Sequence, residues 1–299
     1  MPMFEYIKSS ILLDPTILDS QSDPPDGVPL CRQEDLTFMA SNISDIFAMG
    51  RARNMFVWGL PGTGKTACIQ YLLKETESHS KRINSPVSTV YVNAGRTRSP
   101  YSTLLQILKQ LNVPLPDVGW QFFRLKQAIE STLKEKPLLI AVDEVEGILY
   151  KEKEPLIYYL NRQPKTTLIL ISNKLSQATQ LPERCLSTLQ PLLIQLYPYS
   201  TAEAFKILKA RAQRAFKPNA ISDELISIVA KATSDTNDIR FGISMLLTAA
   251  RLAEKRQAST INEWDIQFAV MQASAVKNLT KIDILSKRIK KQSGKTIDF

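Results

Sequence analysis

A short glycine-rich stretch, GLPGTGKT, predicts a binding site for the phosphates of a nucleotide. Gly59, Gly62, Gly64, Lys65 and Thr66 match the pattern G-x-x-x-x-G-K-[ST]. In such a loop the backbone N–H groups point at β-phosphate oxygens, the lysine neutralises β- and γ-phosphate charge, and the threonine hydroxyl can ligate Mg²⁺. The strand-like MFVW precedes the loop and the helical ACIQYLLKE follows it. The N-terminus of that helix adds a favourable dipole for an anion.

Two adjacent carboxylates end an apolar stretch further along the chain. The run PLLIAV leads into Asp143 and Glu144. At the end of a strand beside a phosphate loop, such a pair can divide the work. Asp143 would hold Mg²⁺ through water, and Glu144 would orient and polarise the attacking water. The alternative is a pair of solvated acids at a strand terminus.

Two single residues are weaker candidates. The apolar run TLILIS is followed by Asn173, whose amide could reach the γ-phosphate or the attacking water, although an Asn after a strand is usually a turn residue. Arg240 lies in SDTNDIRFGISMLL at the start of a predicted helix. Arginines on helices are mostly surface residues, but a lid that closes over a nucleotide needs one cation for the γ-phosphate.

The elements that must position these residues follow from hydrophobic patterning. Five short apolar runs read as strands: MFVW at 55–58, VSTVYV at 87–92, LLIAV at 138–142, TLILI at 167–171 and LLIQL at 192–196. Runs that are apolar throughout fit strands buried on both faces of a parallel sheet, with helices covering it. After Tyr199 the strand signal stops, and Ser200 with Glu203 forms a capping-box pattern that opens a helical region.

The predicted organisation has four parts. We expect an N-terminal extended arm at 1–30, an α/β nucleotide-binding domain at 31–199, a small all-helical domain at 200–276 and a basic C-terminal tail at 277–299. Asn262, before EWDIQFAV, is a plausible helix N-cap, and the apolar positions from Ile239 to Ala250 recur on one helix face.

Composition excludes several classes of protein. The longest apolar runs are far shorter than the roughly 20 residues of a membrane span, and the first residues lack the apolar region of a signal peptide, which predicts a cytoplasmic protein without membrane contact. Three separated cysteines and a single histidine suggest neither a disulfide framework nor a zinc site.

The charge favours a polyanionic partner. The 299-residue chain has a formal net charge of +9, and its last 23 positions contain seven basic and two acidic residues. A basic surface of this kind is typical of nucleic-acid binding, although basic tails are often only solubilising.

The order of phosphate loop, acid-ended strand, Asn-ended strand and helical lid resembles the AAA+ ATPases. Further stretches resemble the archaeal origin-recognition and cell-division-control family of replication initiators. These stretches cover about residues 5–275 and are IKSSILLDPTILDS, VPLCRQEDL, VYVNAGRTRSPYSTLLQILKQLNVPLPDVGW, LPERCLSTLQPLLIQLYPYSTAEAFKILKARAQRAF and NDIRFGISMLLTAARLAE.

The resemblance implies a three-layer P-loop AAA+ domain with a parallel sheet, followed by a small helical lid, and it implies ATP or ADP with Mg²⁺ as cofactors. The implied nucleotide-binding residues are Gly59, Pro61, Gly62, Thr63, Gly64, Lys65, Thr66 and Ala67, with Arg32 near the adenine. It makes Thr66 and Asp143 the metal ligands, Glu144 the catalytic carboxylate, Asn173 sensor 1 and Arg240 sensor 2, with Arg184 as a candidate that acts in trans.

The resemblance also places a DNA-contacting helical insertion around 96–125. There Arg96, Arg98 and Lys109 are candidates for phosphate contact, whereas Tyr101 and Trp120 are expected to be packing residues. Phosphate contacts raise affinity without specifying sequence. The expected partners are therefore duplex DNA and replication proteins, including full-length initiator relatives.

Three departures from the family pattern matter. Asn237 replaces the usual Gly before sensor 2, a mild change that a turn tolerates, and Thr188 stands where eukaryotic relatives have a trans-acting arginine, which leaves Arg184 as the remaining arginine of that box. Family members also continue into a winged-helix DNA-binding domain, which we expect to be lacking here. Without one, groove reading of a specific sequence is not expected.

The sequence thus favours a slowly hydrolysing ATPase that acts as a nucleotide-dependent switch for DNA or partner binding in replication initiation. Two alternatives stay open. One is an accessory module that binds nucleotide and associates with initiators or other proteins without binding DNA. The other is a helper ATPase of a mobile element or of another AAA+ branch, such as a clamp loader.

Overall fold

The computed structural model describes residues 11–114, 121–148 and 156–275. These residues form two compact units. One, the nucleotide-binding unit, runs from Gly27 to Pro198, and the other, the helical unit, combines the described residues up to Asp26 with those from Tyr199 onward. Within the described ranges, none of the helices is long and apolar enough to cross a membrane. The basic tail, Trp120 and residues 1–10 of the arm lie outside the described residues.

The nucleotide-binding unit is built on a five-stranded sheet in the order β2-β3-β4-β1-β5, with all pairs parallel. The strands are β1 Met55–Trp58, β2 Ser88–Asn93, β3 Leu138–Asp143, β4 Thr166–Ser172 and β5 Leu192–Gln195. The sequence prediction of a parallel sheet is confirmed. The bounds of each predicted apolar run agree with those of one observed strand to within one residue at each end.

Both faces of this sheet are buried, as expected for apolar runs without alternation. Every residue of β3 and β4 is buried. Alternate residues of β3 enter two different apolar clusters: Leu138, Ile140 and Val142 belong to one, whereas Leu139 and Ala141 belong to the other. Side chains of successive strand residues point to opposite faces, so the sheet is the middle layer of three.

Helices cover both faces of the sheet. They are α1 Gln33–Ile43, α2 Asp45–Met49, α3 Lys65–Arg82, α4 Ala94–Thr97, α5 Pro100–Gln110, α6 Phe122–Glu135, α7 Leu156–Asn161 and α8 Glu183–Leu189. Helices α1 and α3 supply buried residues to the cluster that contains Leu139, and α5 and α6 supply them to the cluster that contains Leu138. Parallel strands need such crossover helices, because a tight turn cannot connect them.

The helical unit contains α9 Thr201–Ala215, α10 Asp223–Thr236, α11 Ile239–Lys255 and α12 at 263–275. The predicted helix starts are confirmed. Ser200 and Glu203 form a reciprocal capping box at the start of α9, and the Asn262 side chain accepts a 3.1 Å hydrogen bond from the backbone N–H of Asp265. Of the predicted apolar face of α11, Ile243, Leu246 and Ala250 are buried in the core of this unit.

Residues 11–26 pack against this helical core. Ile11, Leu12 and Leu18 are buried in it, and Leu12 forms an antiparallel bridge with Phe216 just after α9. The Arg211 guanidinium donates to the carbonyl oxygens of Ile17, Ser22 and Asp23 and to the Ser22 hydroxyl. These residues therefore belong structurally with the helices that begin almost 200 positions later in the sequence.

Candidate nucleotide-binding site

The phosphate loop connects β1 to α3, at the carboxyl edge of the parallel sheet. Ligands of parallel α/β sheets bind at this edge, because the strand ends and the following loops meet there. The strand order places the end of β4, followed by Asn173, directly beside β1, and β3 with its terminal Asp143 comes next. The topology thus brings the predicted loop, acids and amide to one edge.

The loop backbone has the conformation that its glycines permit. Gly62 and Gly64 have φ values of 75° and 82°, in the left-handed region. A Cβ atom on Gly59 would lie 2.3 Å from the carbonyl oxygen of Leu196, so a larger residue would collide with backbone. Within the described part of the chain, no side chain caps the N-terminus of α3. Its first backbone N–H groups are thereby available to an anion, as phosphate binding requires.

Other residues of the loop are fixed by internal bonds. The fully buried Thr63 donates its hydroxyl proton to the Leu60 carbonyl oxygen over 2.9 Å. Lys65 is only 7% exposed, and its ammonium group donates to the carbonyl oxygens of Gly59 at 2.8 Å and Leu60 at 2.9 Å. Pro61 is exposed and Ala67 is half-buried. The lysine thus lies folded against the loop that we expect to hold the phosphates.

The carboxylate of Asp143 is the centre of a dense group of hydrogen bonds. Its Oδ2 accepts from the Thr66 hydroxyl at 2.6 Å and from the Tyr91 hydroxyl at 2.7 Å, and its Oδ1 accepts from the Glu144 backbone N–H at 2.8 Å. Thr66 gives its only proton to Asp143, so the lone pairs of its oxygen are left for a cation. A hydroxyl and an ionised carboxylate are oxygen ligands of the kind that Mg²⁺ prefers, so this pair fits the expected metal.

Tyr91 is a residue of this group that the sequence analysis missed. It lies on β2, where it pairs with Ala141 of β3. Burial, followed by the negative charge of Asp143, raises the pKa of the Tyr91 phenol well above its ordinary value. The phenol therefore remains a hydrogen-bond donor throughout the neutral pH range. A strand tyrosine has no local sequence signal that points to a carboxylate 52 positions away.

Glu144 occupies a different position from its neighbour. Its backbone lies in the left-handed region with φ of 49°, and its side chain is exposed. Its carboxylate lies against the backbone of Gly95, just after β2, where an added Cβ atom would be 1.9 Å from Oε2. Gly95 was also missed by the sequence analysis, and its only sequence signal is that it lies two residues after the end of β2.

Arg32 lies at the start of the nucleotide-binding unit and connects three of its segments. It is 6% exposed, and one guanidinium nitrogen donates to the carbonyl oxygens of Thr63 at 2.9 Å and Tyr197 at 2.5 Å. The other terminal nitrogen pairs with Asp35 at 3.2 Å. Its role near the adenine stays a prediction from the family resemblance. The contacts show a guanidinium that holds the phosphate loop to the segment after β5.

The three remaining catalytic candidates lie on different elements. Asn173 is half-buried directly after β4. The Arg184 guanidinium on α8 lies 5.4 Å from the ring centroid of Tyr158, which Arg162 also approaches at 5.6 Å. Arg240 belongs to the helical unit, at the start of α11.

Arg240 is held by the residue that caps its own helix. The side chain of Asp238 accepts from the backbone N–H of Arg240 at 3.0 Å and from its guanidinium at 2.6 Å. The Asp238 side chain therefore both caps the N-terminus of α11 and orients the Arg240 guanidinium.

The candidates for DNA contact are exposed. Arg96 on α4, Arg98 just after it and Lys109 on α5 all face solvent. Arg98 has a left-handed backbone with φ of 54°, and its Nε donates to the Gly95 carbonyl oxygen at 3.2 Å. These cations are therefore accessible to a polyanion, and Tyr101 is exposed beside them.

Comparisons with known proteins agree with this architecture. Residues 48–184 match the model of an AAA domain, and residues 205–270 match that of a Cdc6 AAA+ ATPase-type lid domain. The ORC1-type DNA replication protein of Pyrococcus furiosus is 29% identical over 259 residues, which cover 81% of this chain and 61% of that protein. ORC1-type DNA replication protein 1 of Sulfurisphaera tokodaii is 31% identical over 249 residues, which cover 79% of this chain and 62% of that protein. The chain spans about six tenths of the length of these relatives.

Solved structures show the same fold. The ORC1 protein of Aeropyrum pernix in complex with DNA gives a TM-score of 0.78 at 23% identity and covers 89% of this chain and 71% of that one. Cdc6p of Pyrobaculum aerophilum gives a TM-score of 0.75 at 18% identity and covers 88% of this chain and 72% of that one. The AAA domain and the Cdc6-type lid follow one another in this chain as its two matched parts. Together with the relatives above, they show that the chain belongs to the Orc1/Cdc6 family of AAA+ replication initiators.

Proposed function

We propose that this protein binds ATP with Mg²⁺, hydrolyses it slowly, and uses the bound nucleotide as a switch for DNA or partner binding in the initiation of replication, in the cytoplasm. The observation on which this rests is the Thr66–Asp143 hydrogen bond, which joins the phosphate loop to the acid-ended strand at the carboxyl edge of the sheet. Membership of an initiator family supports replication as the process.

The residues of the site divide the binding work. The backbone N–H groups of residues 62–66 and the ammonium of Lys65 would bind the phosphates, once Lys65 exchanges its carbonyl partners for phosphate oxygens. Thr66 and Asp143 would hold Mg²⁺, which supplies charge neutralisation at the phosphates. Asp143, buried and fixed by three donors, is suited to a role that needs one orientation.

Hydrolysis would depend on Glu144, with its solvent-exposed carboxylate beside the metal ligand Asp143. A carboxylate in this place can orient water and accept its proton. We propose that Asn173 and Arg240 respond to the γ-phosphate, and that Arg184 acts in trans. Slow turnover suits a switch, because the ATP-bound state must persist long enough to be recognised by its partner.

Fluorescence anisotropy of labelled duplex DNA tests the switch. Binding is measured with ADP and with a non-hydrolysable ATP analogue, at ~50 and ~200 mM salt. We expect the affinity to differ between the two nucleotides and to fall steeply with salt, because phosphate contacts release counterions. Lys65→Ala is the control, since it should abolish the nucleotide difference while it leaves the exposed cations in place.

The outcomes separate the proposed function from its rival. Binding that is equal with both nucleotides would contradict the switch. Absence of DNA binding in both states would favour the accessory module that acts through other proteins, for which Thr188 at the position of the eukaryotic trans-acting arginine is the supporting observation.

A further inference from the structure

Among the residues that the structure describes, the donors to the Asp143 carboxylate leave a single acceptor position open. An ionised carboxylate has about four lone-pair sites, two on each oxygen. Oδ2 uses both of its sites, for Thr66 and Tyr91, and Oδ1 uses one, for the Glu144 N–H. The side chain is only 5% exposed. The remaining acceptor site is therefore on Oδ1, and its direction is fixed as long as both hydroxyl donors hold Oδ2.

Tyr91 is itself held from both sides of its strand. On one side β2 pairs with β3, with Tyr91 opposite Ala141, two residues before Asp143. On the other side β2 is the edge of the sheet, and there the Gln110 side chain takes the place of a neighbouring strand. Its Oε1 accepts from the Tyr91 N–H at 3.2 Å, and its Nε2 donates to the Tyr91 carbonyl oxygen at 2.7 Å.

The two hydroxyl groups that donate to Oδ2, those of Thr66 and Tyr91, differ in what else they would have to bind. Thr66 would also have to ligate Mg²⁺, so its oxygen would be drawn toward the metal as well as toward Asp143. The Tyr91 hydroxyl donates its one proton to Asp143, and the Tyr91 backbone is held in strand β2. Tyr91 can therefore keep Asp143 in place while Thr66 adjusts to the metal.

We propose that Tyr91 is a positioning residue of the magnesium site, which holds the Asp143 carboxylate so that its one open acceptor faces the metal. The inference rests on the proposed function, because it requires that Thr66 and Asp143 hold Mg²⁺. Outer partners of this kind orient the ligands of a metal, and their loss typically lowers metal affinity by about 10- to 100-fold.

Tyr91→Phe removes the donor and keeps the ring. The measurement is the affinity for a fluorescent ADP analogue in EDTA and across a Mg²⁺ titration. We expect the affinity in EDTA to stay within about twofold of wild type, whereas the Mg²⁺ concentration for half-maximal tightening rises by about tenfold. A role in stability alone would not change the Mg²⁺ requirement of the folded protein.

Two further variants complete the test. Tyr71→Phe is the matched control, because Tyr71 is a half-buried tyrosine on α3 with no hydrogen bond of its phenol among the described contacts, and it should behave as wild type. Gln110→Ala keeps the phenol but frees the backbone of Tyr91, and should shift the Mg²⁺ requirement in the same direction by less. If Tyr91→Phe proves unstable in thermal unfolding, Gln110→Ala still tests the proposal.

The results distinguish this inference from the proposed function. If wild type tightens with Mg²⁺ and both Tyr91→Phe and Gln110→Ala require the same Mg²⁺ concentration as wild type, Tyr91 does not position the site. If wild type binds nucleotide without any effect of Mg²⁺, or does not bind it, the proposed function itself is wrong.

Discussion

At the scale of single residues, the neighbouring carboxylates of Asp143 and Glu144 lie in different environments. Asp143 is buried and accepts three hydrogen bonds, whereas Glu144 is exposed and rests against Gly95. The first arrangement suits a group that must keep one orientation, and the second suits a group that must reach a substrate. The division of work expected from the sequence is therefore compatible with the geometry of each side chain.

Glu144→Gln should retain ATP binding and slow ATP turnover by more than about tenfold, because an amide cannot accept the proton of the attacking water. Phosphate release measures turnover, and a fluorescent nucleotide measures binding. Glu146→Gln, in the same turn, is the control for the loss of one negative charge. Undiminished turnover in Glu144→Gln would remove Glu144 from the mechanism.

At the scale of elements, side chains near the helix ends decide where the helices of the helical unit begin and end. Asp238 caps α11 and Ser200 caps α9. Helix α10 ends at Asn237, whose φ of 58° lies in the left-handed region. This conformation fits the prediction that the turn tolerates Asn in place of Gly, because Asn is one of the few residues that adopt it with little strain.

Asn237→Ala should lower the free energy of unfolding by about 1 kcal/mol, because alanine in a left-handed conformation is strained, whereas Asn237→Gly should change it by only a few tenths. Asn237 is exposed, so little packing is lost in either variant. Urea unfolding measures both. The exposed Lys231→Ala, inside α10, is the control and should be nearly neutral. Equal stability of the Ala and Gly variants would show that the backbone conformation is not the cause.

At the scale of the whole molecule, the order of the chain and the order of the compact units differ. Residues 11–26 pack with helices that start at Thr201, and the nucleotide-binding unit is inserted between them in sequence. Arg211 is 5% exposed and makes four hydrogen bonds to this segment. Burial lowers the pKa of its guanidinium, and Asp23 and Asp19 oppose that shift.

Arg211→Met should destabilise the helical unit by about 2–4 kcal/mol, because it removes the four hydrogen bonds of a buried guanidinium and leaves partly buried carbonyl oxygens without donors. Arg214→Met is the matched control on the same helix. It removes an exposed ion pair with Asp26 and should cost less than about 1 kcal/mol. Denaturant unfolding, followed by circular dichroism, compares the two. Similar losses in both variants would contradict the importance of the buried guanidinium.

The sequence by itself determined the local parts of this protein. The phosphate loop, the acid-ended strand, the capping box and the split into a sheet region and a helical region all depend on residues within about one turn or one strand of each other. Because backbone conformation and burial pattern follow from such short stretches, the positions of all five strands could be predicted within a residue at each end.

Only the tertiary structure decided which distant residues meet. Tyr91 reaches Asp143 across 52 positions, and Arg32 reaches Tyr197 across 165. The close approach of Gly59 to Leu196 and the packing of residues 11–26 on α9 are of the same kind. These contacts depend on the strand order β2-β3-β4-β1-β5 and on the chain closing back on itself. Hydrophobic periodicity identifies a strand but does not specify its neighbours, and for that reason the surroundings of Asp143 were not contained in any single stretch of sequence.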